Sequence, residues 1–142
     1  QNVQTIKDTW IKGFEEENFD KAISFMADSI QWTGPNGSTV GIESIKQSIQ
    51  YWMDTFEEIS YAEGDWLPGT NVGFWGGNTY PVSEAMSSPN NIRMYGTWSM
   101  KNSQTGKTAK TKHYVVLNFN EDGKVHTATE YAYFGEVNAS FE

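Results

Sequence analysis

The last third of the chain, Lys110 to Glu136, consists of two segments of alternating apolar and polar positions joined by Glu121-Asp122-Gly123, the signature of a β-hairpin. With Asp122-Gly123 as a two-residue loop, Phe119 faces His126, Leu117 faces Ala128, Val115 faces Glu130 and His113 faces Ala132. That face is mostly apolar and is therefore the buried one. It also carries a histidine and a glutamate, which are rarely set against a core without a partner or a task. A three-residue turn would slip the register by one and bring Tyr131 inward in place of Glu130.

Upstream, the period is helical. Val3, Ile6, Trp10, Ile11 and Phe14 predict an amphipathic helix to about Glu16. Asn18 is the expected N-cap of a second helix, Phe19 to Ala27. A short strand through Ile30 to Thr33 ends in the turn Gly34-Pro35-Asn36-Gly37. The stripe Ile42, Ile45, Ile49, Trp52, Met53 and Phe56 predicts a long helix to about Ile59, laid across a sheet. Ser60 to Leu67 reads as a strand, and Thr70 to Asn91, rich in Gly, Asn, Ser and Pro, as a long loop. Ile92 to Lys101 alternates again, with Ile92, Met94, Gly96, Trp98 and Met100 on one side, and Thr105-Gly106-Lys107 turns it into the final hairpin. The order predicts one α+β domain over residues 1–142, three N-terminal helices packed on one side of a curved antiparallel sheet.

Bulk properties narrow the partners. The charge of −8, from 10 Lys and Arg against 18 Asp and Glu, argues against nucleic acid and against anionic membrane surfaces. No apolar run approaches the roughly 20 residues of a membrane span. Without cysteine there is no disulfide or thiol chemistry. No His-x-His pair or carboxylate cluster stands at ligand spacing, so no metal is expected, and no phosphate loop or other motif calls for a cofactor. The chain begins at Gln1 with no initiator Met and no hydrophobic leader, which tilts expectation toward an exported protein over a cytoplasmic one. Six Trp, seven Tyr and eight Phe are more than a solid core of this size uses, so some of them are expected to line a pocket.

Several stretches together resemble the nuclear transport factor 2-like superfamily, the cone-shaped fold of ketosteroid isomerases, limonene-epoxide hydrolases and SnoaL-like polyketide cyclases. They are NFDKAISFMADSIQWTGPNG, GIESIKQSI, YGTW, and FNEDGKV followed by YFGE. The catalytic groups of ketosteroid isomerase are missing. Gly34 stands where its base aspartate precedes a Pro, Trp10 where its oxyanion-hole tyrosine lies, and Val115 where its protonated aspartic acid lies. The resemblance implies instead that Val115 borders the cavity, with His113 and Leu117 inward beside it and Glu130, Ala132 and Phe134 inward on the partner strand. It also implies a homodimer through the outer sheet face, where Arg93, Tyr95, Thr97, Tyr114 and Val116 are expected.

The candidate chemistry is the pair His113 and Glu130, diagonal neighbours on adjacent strands at about 7–8 Å between backbones. A carboxylate beside an imidazole fixes its tautomer and raises its basicity, so His113 is the candidate general base and Glu130 its orienting partner. The same pair could equally be structural, two buried polar groups satisfying each other, or Glu130 could reach solvent at the mouth of the cone. The candidate pocket is Trp10, Phe14, Trp32, Trp52, Trp66, Trp98, Val115 and Phe134, suited to a small apolar or aromatic ligand, and Trp75 and Tyr80 are candidates for a lid or an interface. The expected function is a SnoaL-like small-molecule pocket, either a cofactor-independent isomerase, cyclase or hydrolase or a non-catalytic binding domain. A purely dimerising scaffold would instead have its interior plugged by tryptophans.

Overall fold

The computed structural model describes residues 1–63, 74–79 and 86–142, with side chains described in 1–63 and 89–142. Helix α1 (Asn2–Ile6) passes through a π-helical turn, Lys7–Ile11, into α2 (Lys12–Glu15). This run buries Ile6, Trp10, Ile11 and Phe14, the stripe the sequence predicts. It closes on a Schellman motif, with Asn18 N–H to the Gly13 carbonyl at 2.7 Å and Glu17 N–H to Phe14 at 3.2 Å. Asn18 then caps α3 (Phe19–Ile23) by accepting from Lys21 N–H at 3.0 Å. Gly13 is obligatory because a Cβ there would collide with the backbone of Ala22 on α3.

Strands β1 (Met26–Thr33) and β2 (Thr39–Val40) precede α4 (Ile42–Thr55). Then come β3 (Phe56–Glu63), β4 (Phe74–Thr79), β5 (Met86–Asn102), β6 (Thr108–Phe119), β7 (Val125–Ala132) and a short α5 (Gly135–Ala139). The sheet is curved and unclosed, in the order β2-β1-β7-β6-β5-β3, with β4 also on β5. Long β5 carries β6 on one edge and two strands on the other, β4 near its start and β3 near its end. Helix α4 lies across β1 and β3, and α2 packs on β3, so the helices cover the concave face. The core sits between the two layers.

Four features differ from expectation, each because non-local pairing overrides local periodicity. Helix α4 stops at Thr55 because Phe56 is already extended and pairs with Asn102, so the strand expected from Ser60 begins four residues earlier. Strand β1 begins at Met26, inside the expected second helix, where it pairs with Val125. Its pairing with β7 is parallel, against the all-antiparallel sheet expected. Within the expected loop 70–91, residues 74–79 form β4 and pair with β5.

The final hairpin resolves its register in an unexpected way. Its turn takes three residues, Asn120 N–H bonding the Lys124 carbonyl at 2.7 Å, with Gly123 at φ +73°. On its own, that turn would bring Tyr131 inward. A β-bulge at Val125-His126 restores the register, so that Phe119 pairs with Val125 while Leu117 still faces Ala128, Val115 faces Glu130 and His113 faces Ala132. The bulge buries Val125 in place of the half-buried His126.

Candidate functional site

Inward parity on β6 aims Thr111, His113, Val115, Leu117 and Phe119 at the concave face, all of them buried. On β7 the corrected register brings Glu130 to the same face, and His113 Nε2 lies 2.8 Å from Glu130 Oε2. The two residues are the diagonal neighbours that the alternation implies. The imidazole is 3% exposed and the carboxylate side chain 19%. Trp10 and Trp98 meet the imidazole ring at 81° and 71°.

His113 Nδ1 is buried with no hydrogen-bond partner. An imidazolium would bury a second N–H with nothing to accept it, so the hydrogen bonding fits a neutral ring whose single proton sits on Nε2 and is donated to Glu130. No hydrogen bond from the described residues reaches the second oxygen of Glu130, Oε1.

Two adjoining chambers open beside this pair. The inner one, about 100 Å³, is walled by Trp10, Phe14, Trp52, Trp98, Phe134 and the His113–Glu130 pair, with Ile59, Met100 and Thr111 completing it. The outer one, about 320 Å³, shares Trp10, Phe14, Trp52, Glu130 and Phe134 with the inner and adds Trp32, then Asn36, Ser38 and Ser48 at its polar side. Glu130 belongs to both and marks their junction. The interior is therefore not plugged, although the aromatic load is high. A bulge in β3, with Glu58 at φ +53°, turns Ile59 into the inner wall. The Thr111 hydroxyl already donates to the Tyr133 carbonyl at 2.7 Å.

Of the residues expected at a pocket, Trp10, Phe14, Trp32, Trp52, Trp98 and Phe134 line these chambers. Val115 does not. It is fully buried in the hydrophobic core and borders neither chamber. Trp66 and Tyr80 lie outside the described residues, and of Trp75 only the backbone position, on β4, is described. Thr97, expected on the outer face, is buried beneath its neighbours with its hydroxyl unpartnered. Sequence reasoning passed over Thr111, which parity with His113 would have found, and set Met100 on the Trp98 side without assigning it to the pocket. Nothing in the pattern singles out Asn36, Ser38 or Ser48, since turns and helix surfaces carry such residues everywhere. Among the described residues no group of three His, Asp or Glu is placed to hold a metal, and no helix is long and apolar enough to cross a membrane.

No protein-family model matches the sequence, and no curated protein matches it. Solved structures do. A protein of ketosteroid isomerase-like fold from Catenulispora acidiphila, solved with trimethylamine, superposes with a TM-score of 0.65 at 10% identity, over 99% of this chain and 91% of that one. A candidate polyketide cyclase from Xanthomonas campestris gives 0.69 at 12% identity, over 99% and 96%. A nuclear transport factor 2-like protein of unknown function from Burkholderia pseudomallei gives 0.65 at 17% identity, over 97% and 95%.

Proposed function

Starting from a nuclear transport factor 2-like fold of the SnoaL-like type, we propose that the two chambers bind a small, largely apolar molecule and that Glu130, held by His113, transfers a proton to or from it without a cofactor. The observation that carries this is the 2.8 Å contact between His113 Nε2 and Glu130 Oε2 at the junction of both chambers. The roles are the reverse of those the sequence suggests. His113 spends Nε2 on Glu130 and buries Nδ1, so it positions; Glu130 keeps Oε1 for the ligand, so it acts as base or acid. The reaction type is that of an isomerase, cyclase or hydrolase.

The test needs no known substrate. A panel of small apolar carbonyl compounds is screened for binding by ligand-observed NMR, and every binder is incubated in D2O and read by mass spectrometry for exchange of carbon-bound hydrogen. Wild type is expected to bind and exchange. Glu130→Gln should bind but lose exchange by about 10²-fold or more, the usual worth of a positioned acid–base group. Exchange that survives in Glu130→Gln would refute the role given to that residue.

A second reading, a non-catalytic binding domain, is favoured by one observation. The Thr111 hydroxyl and the Nε2 proton are both committed, which leaves only the indole N–H groups of Trp10, Trp52 and Trp98 among the chamber's described side-chain donors to meet a developing oxyanion. Binding by wild type without exchange would decide for it. We also propose that the outer sheet face joins two copies of the chain, on the exposed aromatic surface it carries at Tyr131 and Tyr133.

A further inference from the structure

We infer that the inner chamber selects an organic cation, the quaternary or protonated ammonium head of a small amphipathic molecule, with Glu130 as its counter-charge. The inference rests on the reading of the chambers as a ligand site and names the class of ligand.

The walls carry the argument. Around the chamber the rings are tilted to each other: Trp10 against Trp98 at 45°, Phe14 against Trp98 at 62°, Trp52 against Phe134 at 45°. Five Trp and Phe side chains line the empty volume, and the face of such a ring is negative. The charge set is one-sided. Glu130 presents a carboxylate oxygen with no described partner, and no Lys or Arg lines either chamber. The net charge of −8 adds to the same sign.

An anionic ligand would meet the Glu130 carboxylate with no Lys or Arg in the lining to offset the repulsion. A neutral hydrocarbon would fill the chamber but leave the charge of Glu130 uncompensated. An ammonium head answers both, since its methyl or methylene groups pack on the rings while its charge faces Glu130. At about 100 Å³ the chamber is smaller than the roughly 150 Å³ cavity that takes benzene, which rules out a fused ring system. The outer chamber, polar at Asn36, Ser38 and Ser48, would take the remainder of the molecule.

The experiment compares three probes of one shape by isothermal titration calorimetry: choline, its uncharged carbon isostere neopentyl carbinol, and the anion tert-butylacetate. Choline is expected to bind wild type about tenfold or more tighter than the isostere, with no binding of the anion. Glu130→Gln should lose that preference while keeping its affinity for the isostere, which also shows that the variant is folded. Equal binding of choline and the isostere, or preference for the anion, would overturn the cation assignment while leaving a small-molecule site in place. Failure of all three to bind would overturn the assignment together with the pocket reading. The comparison within wild type stands whether or not the variant folds.

Discussion

The half-buried Tyr61 packs on Trp98, with ring centroids 4.8 Å apart, and its buried hydroxyl has no hydrogen-bond partner. Gly96 on the neighbouring strand has no room for a Cβ because the same ring lies over it. Burial, with the charge of Glu63 adding to it, pushes the Tyr61 ionisation well above the ordinary tyrosine value. The native state therefore keeps a proton that the unfolded chain releases near pH 10, so stability falls as pH climbs past about 10. Removing the unsatisfied hydroxyl relieves a desolvation cost, so Tyr61→Phe is expected to leave stability unchanged or raise it by up to about 1 kcal/mol at neutral pH. The variant should also flatten the alkaline decline, though not abolish it, because Tyr114 is shifted upward too, by burial first and then by its hydrogen bond with Tyr95. Urea unfolding at about pH 8 and about pH 11 reads both effects. A destabilised Tyr61→Phe would mean that the hydroxyl does have a partner. At this scale the sequence was informative about His113 and Glu130, because period-two alternation alone puts them on one face. It said nothing of which oxygen or nitrogen each would leave free, since that depends on atoms contributed by distant strands.

Where α2 ends, Glu17 sits at φ +53° in the left-handed C-terminal position of the Schellman motif, a place that favours glycine. Glu17→Gly is expected to stabilise the protein by about 0.5–1 kcal/mol, since the change removes left-handed strain at an exposed site. One turn earlier, Gly13→Ala should cost about 1–3 kcal/mol or more, because its Cβ would be driven into the backbone of Ala22. Thermal unfolding of the two variants should thus move in opposite directions, and a shift of the same sign in both would refute this account of the α2–α3 junction. The helical stripe and the Asn18 cap were legible because they are local. The end of α4 was not, since Phe56 fits the helical stripe and the strand equally well until its pairing with Asn102 is known. The hairpin register shows the same limit. The sequence supports a two-residue turn, but burying Val125 in place of His126 favours a longer turn with a compensating bulge.

At the scale of the molecule, the α+β order was readable from periodicity, whereas the parallel β1–β7 pairing and the β4–β5 pairing join segments whose neighbours no local pattern specifies. The outer sheet face is where the whole chain matters most. Tyr95, Tyr114 and Tyr131 are direct cross-strand partners on β5, β6 and β7, stacked at 4.5 and 5.4 Å with ring planes 20° and 22° apart. Tyr131 is 56% exposed, and Tyr133, just beyond β7, is 80% exposed. An aromatic ladder of this kind offers rigid apolar area at low entropic cost, and in an isologous dimer it would meet its own copy. Charge opposes that meeting twice over. Each chain carries −8, and Lys110 and Lys112 on the outer side of β6 would approach their own copies. Salt screens both repulsions, with a Debye length of about 10 Å at 0.1 M and about 3 Å at 1 M. Raising salt should therefore tighten the dimer, the opposite of what an interface held by ion pairs would show. Tyr114→Arg replaces the middle ring of the ladder with a cation on a half-exposed face, and is expected to give a monomer with unchanged far-ultraviolet circular dichroism. Analytical ultracentrifugation at low and high salt measures both effects. A wild-type monomer at every salt concentration, or a dimer that Tyr114→Arg leaves intact, would exclude this face as the interface.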